Sequence, residues 1–166
     1  MQLKIISVAL VTRQDLRTAA AGLSAYFETM CSARNYFSGC EYGILRPLAD
    51  LDNLKEEYLP ELLPILSKIY MEALQAGQAD LAKEIKPEVV LLENTMALLA
   101  VILEKYSELS GDYFLDLPCA FSAAEYEVWE DKCAALYDSL LTEIIPVMNN
   151  VKRIIALLNH LLAISV

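Results

Sequence analysis

The chain contains a single histidine, His160, and imidazole is the side chain best suited to acid–base catalysis near neutral pH. It lies in the terminal segment VKRIIALLNHLLAISV. At helical spacing one side of this segment is apolar, with Val151, Ile154, Ile155, Leu158, Leu161 and Leu162, and the other side carries Lys152, Arg153, Ala156, Asn159, His160 and Ala163. We therefore predict an amphipathic helix that seals a core, with a solvated His160 beside Arg153 near the helix end, where a cation is favourable. A catalytic or ligand-binding histidine is the alternative.

The motifs of common catalytic and cofactor sites do not occur in the sequence. A di-iron bundle requires two Glu-x-x-His pairs, which one histidine cannot supply. No G-x-S-x-G, P-loop or G-x-G-x-x-G pattern is present, and the DLDN at 50–53 lacks the glycine and final glutamate of a calcium loop. We predict no catalytic residue, no metal and no cofactor, and a carboxylate-based enzyme is kept as an alternative.

Four cysteines could hold a metal or form disulfides. Cys31, Cys40, Cys119 and Cys133 include no C-x-x-C pair, so neither a zinc finger nor a thioredoxin-like motif is indicated. We expect reduced thiols in a cytoplasmic protein.

Two glutamates, Glu93 and Glu104, share one line of the segment 88–106 with Ala97 and Ala100. The rest of the segment is apolar at helical spacing, which predicts a helix buried on nearly all sides. The alanines would let a neighbouring helix approach closely, and the glutamates would lie where that contact meets water. An inward-facing carboxylate pair for metal or acid–base chemistry is the alternative, which the cost of burying unpaired carboxylates disfavours.

A second group of carboxylates predicts a binding surface rather than a reaction. Four acidic residues gather on one side of the helix that follows Ser122, namely Glu127, Glu130, Asp131 and Asp138. The opposite side is a core stripe of Tyr126, Trp129, Cys133, Leu136, Tyr137, Leu140 and Ile144. The acidic side is either a solvated face that keeps the protein soluble or a docking surface for a protein with a basic surface.

Composition limits the classes of partner. The net charge is −10 with no basic cluster, which argues against direct nucleic-acid binding. Apolar residues make up 56% of the chain, above the roughly 45–50% of ordinary soluble domains. We expect the surplus to be buried in a homodimer or a heteromer. The apolar runs are interrupted too often for a transmembrane span, and the first residues fit a signal peptide poorly.

The N-terminal half shows several helix boundaries. Residues 1–11 form either an arm or a short helix, and a helix over 13–37 follows, with Thr12 as N-cap, Asp15 completing the capping box and Val11 packing on Leu16. The Asn53 and Glu56 spacing predicts a short helix over 53–59 that Pro60 ends. The next helix starts or bends at Pro64 and stops at Gly77.

The C-terminal half begins with a turn that leads to Pro87 as a first-turn residue. A long helix over 88–109 follows, with Gly111 as its stop. After a loop at 112–121, Ser122 and Glu125 give a capping box that opens a helix to Pro146, where the chain kinks into the terminal helix.

The sequence therefore predicts an all-α, single-domain bundle of five to six helices with short loops. The function that fits best is a non-enzymatic protein–protein interaction module, such as an adaptor, a chaperone or an inhibitor or immunity-type protein, that presents an acidic helical surface. A bundle that binds a small hydrophobic ligand is the main alternative.

Overall fold

A computed structural model of the chain describes residues 10–34, 45–115 and 122–164. This part of the chain is helical and contains no strand, which confirms the all-α prediction. Its elements are helix α1 at Leu10–Arg34, helix α2 at Leu45–Asn53, a π-helical turn at Leu54–Tyr58, helix α3 at Leu59–Gln75, helix α4 at Ala79–Leu115 and helix α5 at Ala123–Ile164. Five α-helices match the predicted number, but several boundaries differ.

Helix α1 begins earlier than predicted. Thr12 lies inside the helix and is only 1% exposed, so it is not the N-cap. Its hydroxyl has no hydrogen-bond partner in the described part of the chain. The predicted arm or short helix at 1–11 lies outside the described residues, except for the first two residues of α1, and the predicted helix end near 37 also lies outside them.

The predicted break at Pro60 is wrong, because helix continues from Leu45 to Gln75. Asn53 has helical backbone angles and makes no side-chain capping bond. In a regular α-helix the ring of Pro60 would clash with the carbonyl of Glu56. The wide π turn ends just before this proline, and the N–H of Leu59 donates to the carbonyl five residues back. The turn therefore accommodates the proline without ending the helix.

The π turn also keeps two apolar stripes on the core. Buried leucines recur at three- and four-residue spacing within α2 and within α3, but a gap of five residues separates Leu54 from Leu59. A continuous α-helix would rotate one of the two stripes away from the core. The extra residue in the π turn brings the leucine stripe of α3 back to the same side of the rod as that of α2, and both stripes are buried.

Helix α3 ends as predicted at Gly77, whose φ of 71° is accessible to glycine at little cost. The N–H of Gln78 donates to the carbonyl of Ala73 at 2.8 Å, and the N–H of Gly77 donates to that of Leu74 at 3.1 Å. These two bonds form a Schellman motif, which satisfies carbonyls at the end of the helix. The chain then turns directly into α4.

Three prolines that we interpreted as helix starts or bends lie inside long helices. Helix α4 starts at Ala79, before Pro87, and α5 runs through Pro146 as one element, while Pro64 lies within α3. All three are exposed, so the carbonyls that lose a donor can face water. Helix α4 also continues past Gly111, so that the first residues of the predicted loop at 112–121 are helical.

The helices form an antiparallel bundle of four rods, because α2, the π turn and α3 make one rod. Helix α3 packs on α1 and α4, and α5 packs on α4 and α1, which closes a ring of neighbours. Ion pairs from Glu88 to Arg153 and from Lys105 to Glu143 join α4 and α5 in antiparallel order. The short loop after Gly77 makes α3 and α4 antiparallel as well.

The terminal part of α5 seals the core as predicted. Val151, Ile154, Leu158 and Leu161 are 0% exposed. The residues predicted for the opposite side are all exposed. This face of α5 closes the bundle against α4 and α1.

Candidate functional site

The helix that carries the predicted binding surface begins with the capping box identified in the sequence. The backbone N–H of Ser122 donates to Glu125 Oε2 at 2.7 Å, and the N–H of Glu125 donates to Ser122 Oγ at 3.3 Å. The hydrogen bond from the Ser122 backbone to the carboxylate, together with one from the Ser122 side chain, holds the pKa of Glu125 below its usual value. The box fixes the start of α5 and thereby the orientation of the side chains that follow.

The described side chains in the first turns of α5 are open to solvent. Every described side chain between residues 122 and 135 is exposed, and among the described side chains of this helix the first that is fully buried is Leu140. Leu136 and Ile144 pack beside it, which agrees with the predicted core stripe. The other members of that stripe, Tyr126, Trp129, Cys133 and Tyr137, lie outside the described side chains.

The acidic patch consists of Glu127, Asp131 and Asp138, which are all exposed. None of the three forms an ion pair with a residue in the described part of the chain. The side chain of the fourth predicted member, Glu130, lies outside the described set. Val128, which is 69% exposed, lies three residues before Asp131 and adds an apolar contact point at the edge of the patch.

The structure places His160 on the surface, with a side chain that is 47% exposed. Its Nε2 lies 3.6 Å from Glu84 Oε2, across the contact between α5 and α4. No described cysteine, serine or threonine hydrogen-bonds to it. An exposed pair at this distance contributes little to stability, and the surroundings are those of the solvated histidine that we predicted.

The two glutamates of α4 do not form an inward-facing pair. Glu93 and Glu104 are both exposed, as is Ala97 between them. Val90 and Val101 on the same side are 48% and 62% exposed, so the prediction that this helix is buried on nearly all sides is wrong. A four-rod bundle covers each helix from the core and two flanks, and this side of α4 has no described neighbour.

The sequence analysis missed an ion pair between α4 and α5. Glu88 is 9% exposed, and its Oε1 accepts hydrogen bonds from Arg153 Nε at 2.9 Å and Nη2 at 2.5 Å. Its Oε2 is buried without a partner in the described part of the chain. The signal in the sequence is a glutamate that falls within the apolar stripe of Ile85, Leu92 and Leu99. Because Arg153 is 65 residues away, its role as partner could not be predicted.

A polar contact between α1 and α2 was also missed. The hydroxyl of Tyr26 donates to the carbonyl oxygen of Asp50 at 2.9 Å and to its Oδ1 at 3.1 Å. The ring stacks on Tyr58 with a centroid distance of 4.3 Å. Burial, aided by the nearby Asp50 carboxylate, raises the pKa of Tyr26 to about 12. A phenol held neutral in this way is a poor base, and the contact ties α1 to the π turn.

Other kinds of site find no support in the described residues. They contain no group of three or more side chains suited to holding a metal ion, and none of their helices has the length and apolarity needed to cross a membrane. The cysteine predictions fall outside the described residues and side chains. Comparison of the chain with protein-family models, curated proteins and solved structures gives no significant match.

Proposed function

We propose that this protein is a non-enzymatic interaction module that binds a protein with a basic surface through the acidic patch of α5. The observation that carries the proposal is that Glu127, Asp131 and Asp138 are exposed on one helix without a counter-ion among the described residues. Every other described side chain in residues 122–135 is exposed as well.

Electrostatics favours a cationic partner at this position. Glu127 and Asp131 are four residues apart, and like charges at this spacing destabilise a helix by a few tenths of a kcal/mol. A basic surface removes that repulsion and accelerates association by long-range attraction. Val128 would lose its exposed apolar area in the same contact. The proposed partner therefore combines basic residues with a small apolar contact.

We propose no nucleic-acid partner, because the net charge of −10 would repel phosphates. It includes no cofactor or metal. We further infer a cytoplasmic protein with reduced thiols, from the absence of C-x-x-C pairs in the sequence.

Affinity capture from the producing cells tests the proposal, with charge-reversal variants as bait. The double variant Asp131→Lys, Asp138→Lys should fold normally and lose the partner, since both side chains are exposed. Glu57→Lys, Glu61→Lys is the matched control, because it reverses two exposed carboxylates elsewhere on the bundle. Quantitative mass spectrometry should show one protein enriched by wild type and control but not by the patch variant.

The bound protein should also elute as salt rises, because exposed charges are screened over about 8 Å at physiological ionic strength. A partner that is retained equally by the patch variant, or lost equally from the control, would contradict the proposal. In the second case binding depends on net charge and not on the patch.

A further inference from the structure

Helices α4 and α5 pack through two stripes of buried side chains that repeat every seven residues. In α4 the stripe runs from Ile85 to Tyr106 at alternating spacings of three and four, and Glu88 is one of its members. In α5 a stripe with the same alternation runs from Leu140 to Leu161. Such a repeat is typical of coiled-coil packing, in which residues seven apart occupy equivalent positions along the contact.

A repeat of this kind does not fix the register of the two helices by itself. Suppose that α5 slides seven residues towards the start of α4, which is about 10 Å at a rise of about 1.5 Å per residue. Each stripe position is then taken by the residue seven earlier, and those from Val147 to Leu161 are again filled by apolar members of the same stripe. The sequence continues the repeat in the required direction, through Tyr137 and Cys133.

The length of chain between the two helices permits both registers. The seven residues 116–122 join Leu115 to Ala123, and seven extended residues span up to about 24 Å. The hydroxyl of Tyr106 donates to Ser139 Oγ at 3.1 Å, a pairing that puts the start of α5 about 10 Å beyond the end of α4. The slip would bring these two ends level, which asks less of the connection.

The buried ion pair distinguishes the two registers. Glu88 is 9% exposed, and its Oε1 accepts both hydrogen bonds from Arg153, while its Oε2 has no partner in the described part of the chain. In the slipped register Pro146 takes the place of Arg153, and proline has no side-chain donor. The carboxylate of Glu88 would then be buried without a cation, which is strongly unfavourable.

The other charges between α4 and α5 oppose the slip much less. Arg153 would meet Glu84, whose side chain is 59% exposed, and Lys105, whose side chain is 54% exposed, would lose its partner on α5. Exposed pairs contribute little, so this gain and this loss are both small. Glu88 is the only charged residue among the buried residues that the structure describes, and it therefore decides between the registers.

We propose that the pair of Glu88 with Arg153 sets the register of α5 against α4 by penalising the slipped arrangement. A polar residue within an apolar repeat specifies register at a cost in stability, and a buried ion pair adds little net stability over apolar replacements. The slip would carry Glu127 and Asp138 about 10 Å along the bundle, so the pair also fixes where the acidic patch lies. The inference does not depend on whether that patch binds a basic protein.

The distance between two spin labels, one on each helix, measures the register in the full chain. Lys83 and Thr142 are both exposed, and a ketone-bearing amino acid at each position takes a nitroxide without any change to the native cysteines. Double electron–electron resonance should give one distance for the otherwise wild-type chain. Glu88→Met, Arg153→Met should add a second distance, shorter by about 10 Å, because the slip carries residue 142 towards residue 83.

Glu84→Met, His160→Met is the matched control, since it removes an exposed pair between the same helices, and it should keep the single distance. Glu88→Met alone should also show the second distance, and it replaces the double variant if that one does not fold. A folded double variant with only the wild-type distance would overturn the proposal, as would two distances in the wild type or in the control. Loss of the helical circular dichroism signal in both Glu88 variants would also overturn it, because the pair would then be required for folding itself.

Discussion

Replacement of Leu158 by alanine tests whether the terminal segment of α5 is a core element. Leu158 is 0% exposed and lies in the centre of the buried stripe, between Ile154 and Leu161. Alanine lacks three of the carbons of leucine, and each buried CH₂ contributes about 0.8 kcal/mol. The transfer contribution is therefore about 2.4 kcal/mol.

The cavity left by the truncation adds to this loss, because close-packed neighbours relax only in part. Leucine-to-alanine changes at fully buried sites cost about 2–5 kcal/mol in total. We expect Leu158→Ala to lower the free energy of unfolding within this range, and above the transfer contribution alone.

Two controls separate burial from other effects of the change. Leu74→Ala in α3 removes the same atoms from a side chain that is 44% exposed, and it should cost less than about 1 kcal/mol. His160→Ala tests the neighbouring polar side of α5. The half-exposed pair with Glu84 is weak, and alanine has a higher helix propensity than histidine. The free energy of unfolding of this variant should therefore fall by about 0.5 kcal/mol or less.

Urea unfolding followed by the helical circular dichroism signal measures all three variants on one scale. The reasoning fails if Leu158→Ala costs no more than Leu74→Ala, because the terminal helix would then not seal the core. A severe loss of stability in His160→Ala would instead show that the imidazole is a structural element.

Three further predictions concern the turn at Gly77, the ion pair of the buried Glu88 with the exposed Arg153, and the phenol of Tyr26. Gly77→Ala should cost about 1 kcal/mol, because a side chain is strained at its φ of 71°, whereas Gly22→Ala inside α1 should stabilise by about 0.5–1 kcal/mol. Arg153→Met should cost about 1–2 kcal/mol, since it leaves the carboxylate of Glu88 buried and unpaired, and adding Glu88→Met should restore most of the loss. The pKa of Tyr26 is raised to about 12 from 10.0. The stability that its neutral hydroxyl gives the fold is therefore lost as the pH rises through that interval, and Tyr26→Phe should make the melting temperature less dependent on pH there.

Urea unfolding measures the glycine and ion-pair variants, and thermal melts between about pH 9 and 12 measure the tyrosine. Equal effects of the two glycine changes would contradict the conformational explanation. Failure of the double replacement at the ion pair to recover stability would show that the pair contributes more than the removal of an unpaired charge. If Tyr26→Phe leaves the dependence of the melting temperature on pH unchanged, the loss of stability at high pH does not come from ionisation of Tyr26.

The parts of the fold that depend on local pattern could be predicted from the sequence. The stripe of Val151 to Leu162, the capping box at Ser122 and the stop at Gly77 each follow from neighbours within a few residues, and the structure confirms all three. The solvated position of His160 follows from the same stripe.

The errors arise where a residue's effect depends on which way it faces. A proline on the solvent side of a packed helix costs less than one that breaks a buried hydrogen bond, and spacing alone does not identify the side. Likewise α4 has enough apolar residues to be surrounded, but the bundle supplies neighbours on only three sides. The pairing of Glu88 with Arg153 joins distant segments, which a single sequence does not reveal.

The π turn at Leu54–Tyr58 has a consequence for how this protein tolerates insertions and deletions. Compared with a regular helix, the rod from Leu45 to Gln75 contains one additional residue. Deleting Glu57 alone would produce a continuous α-helix whose next proline clashes with a carbonyl, at a cost of about 3 kcal/mol. Deleting it together with Pro60→Ala would give an ordinary helix with every leucine still in phase. The additional residue and the proline are therefore epistatic, because the deletion is tolerated only where the proline has also been replaced.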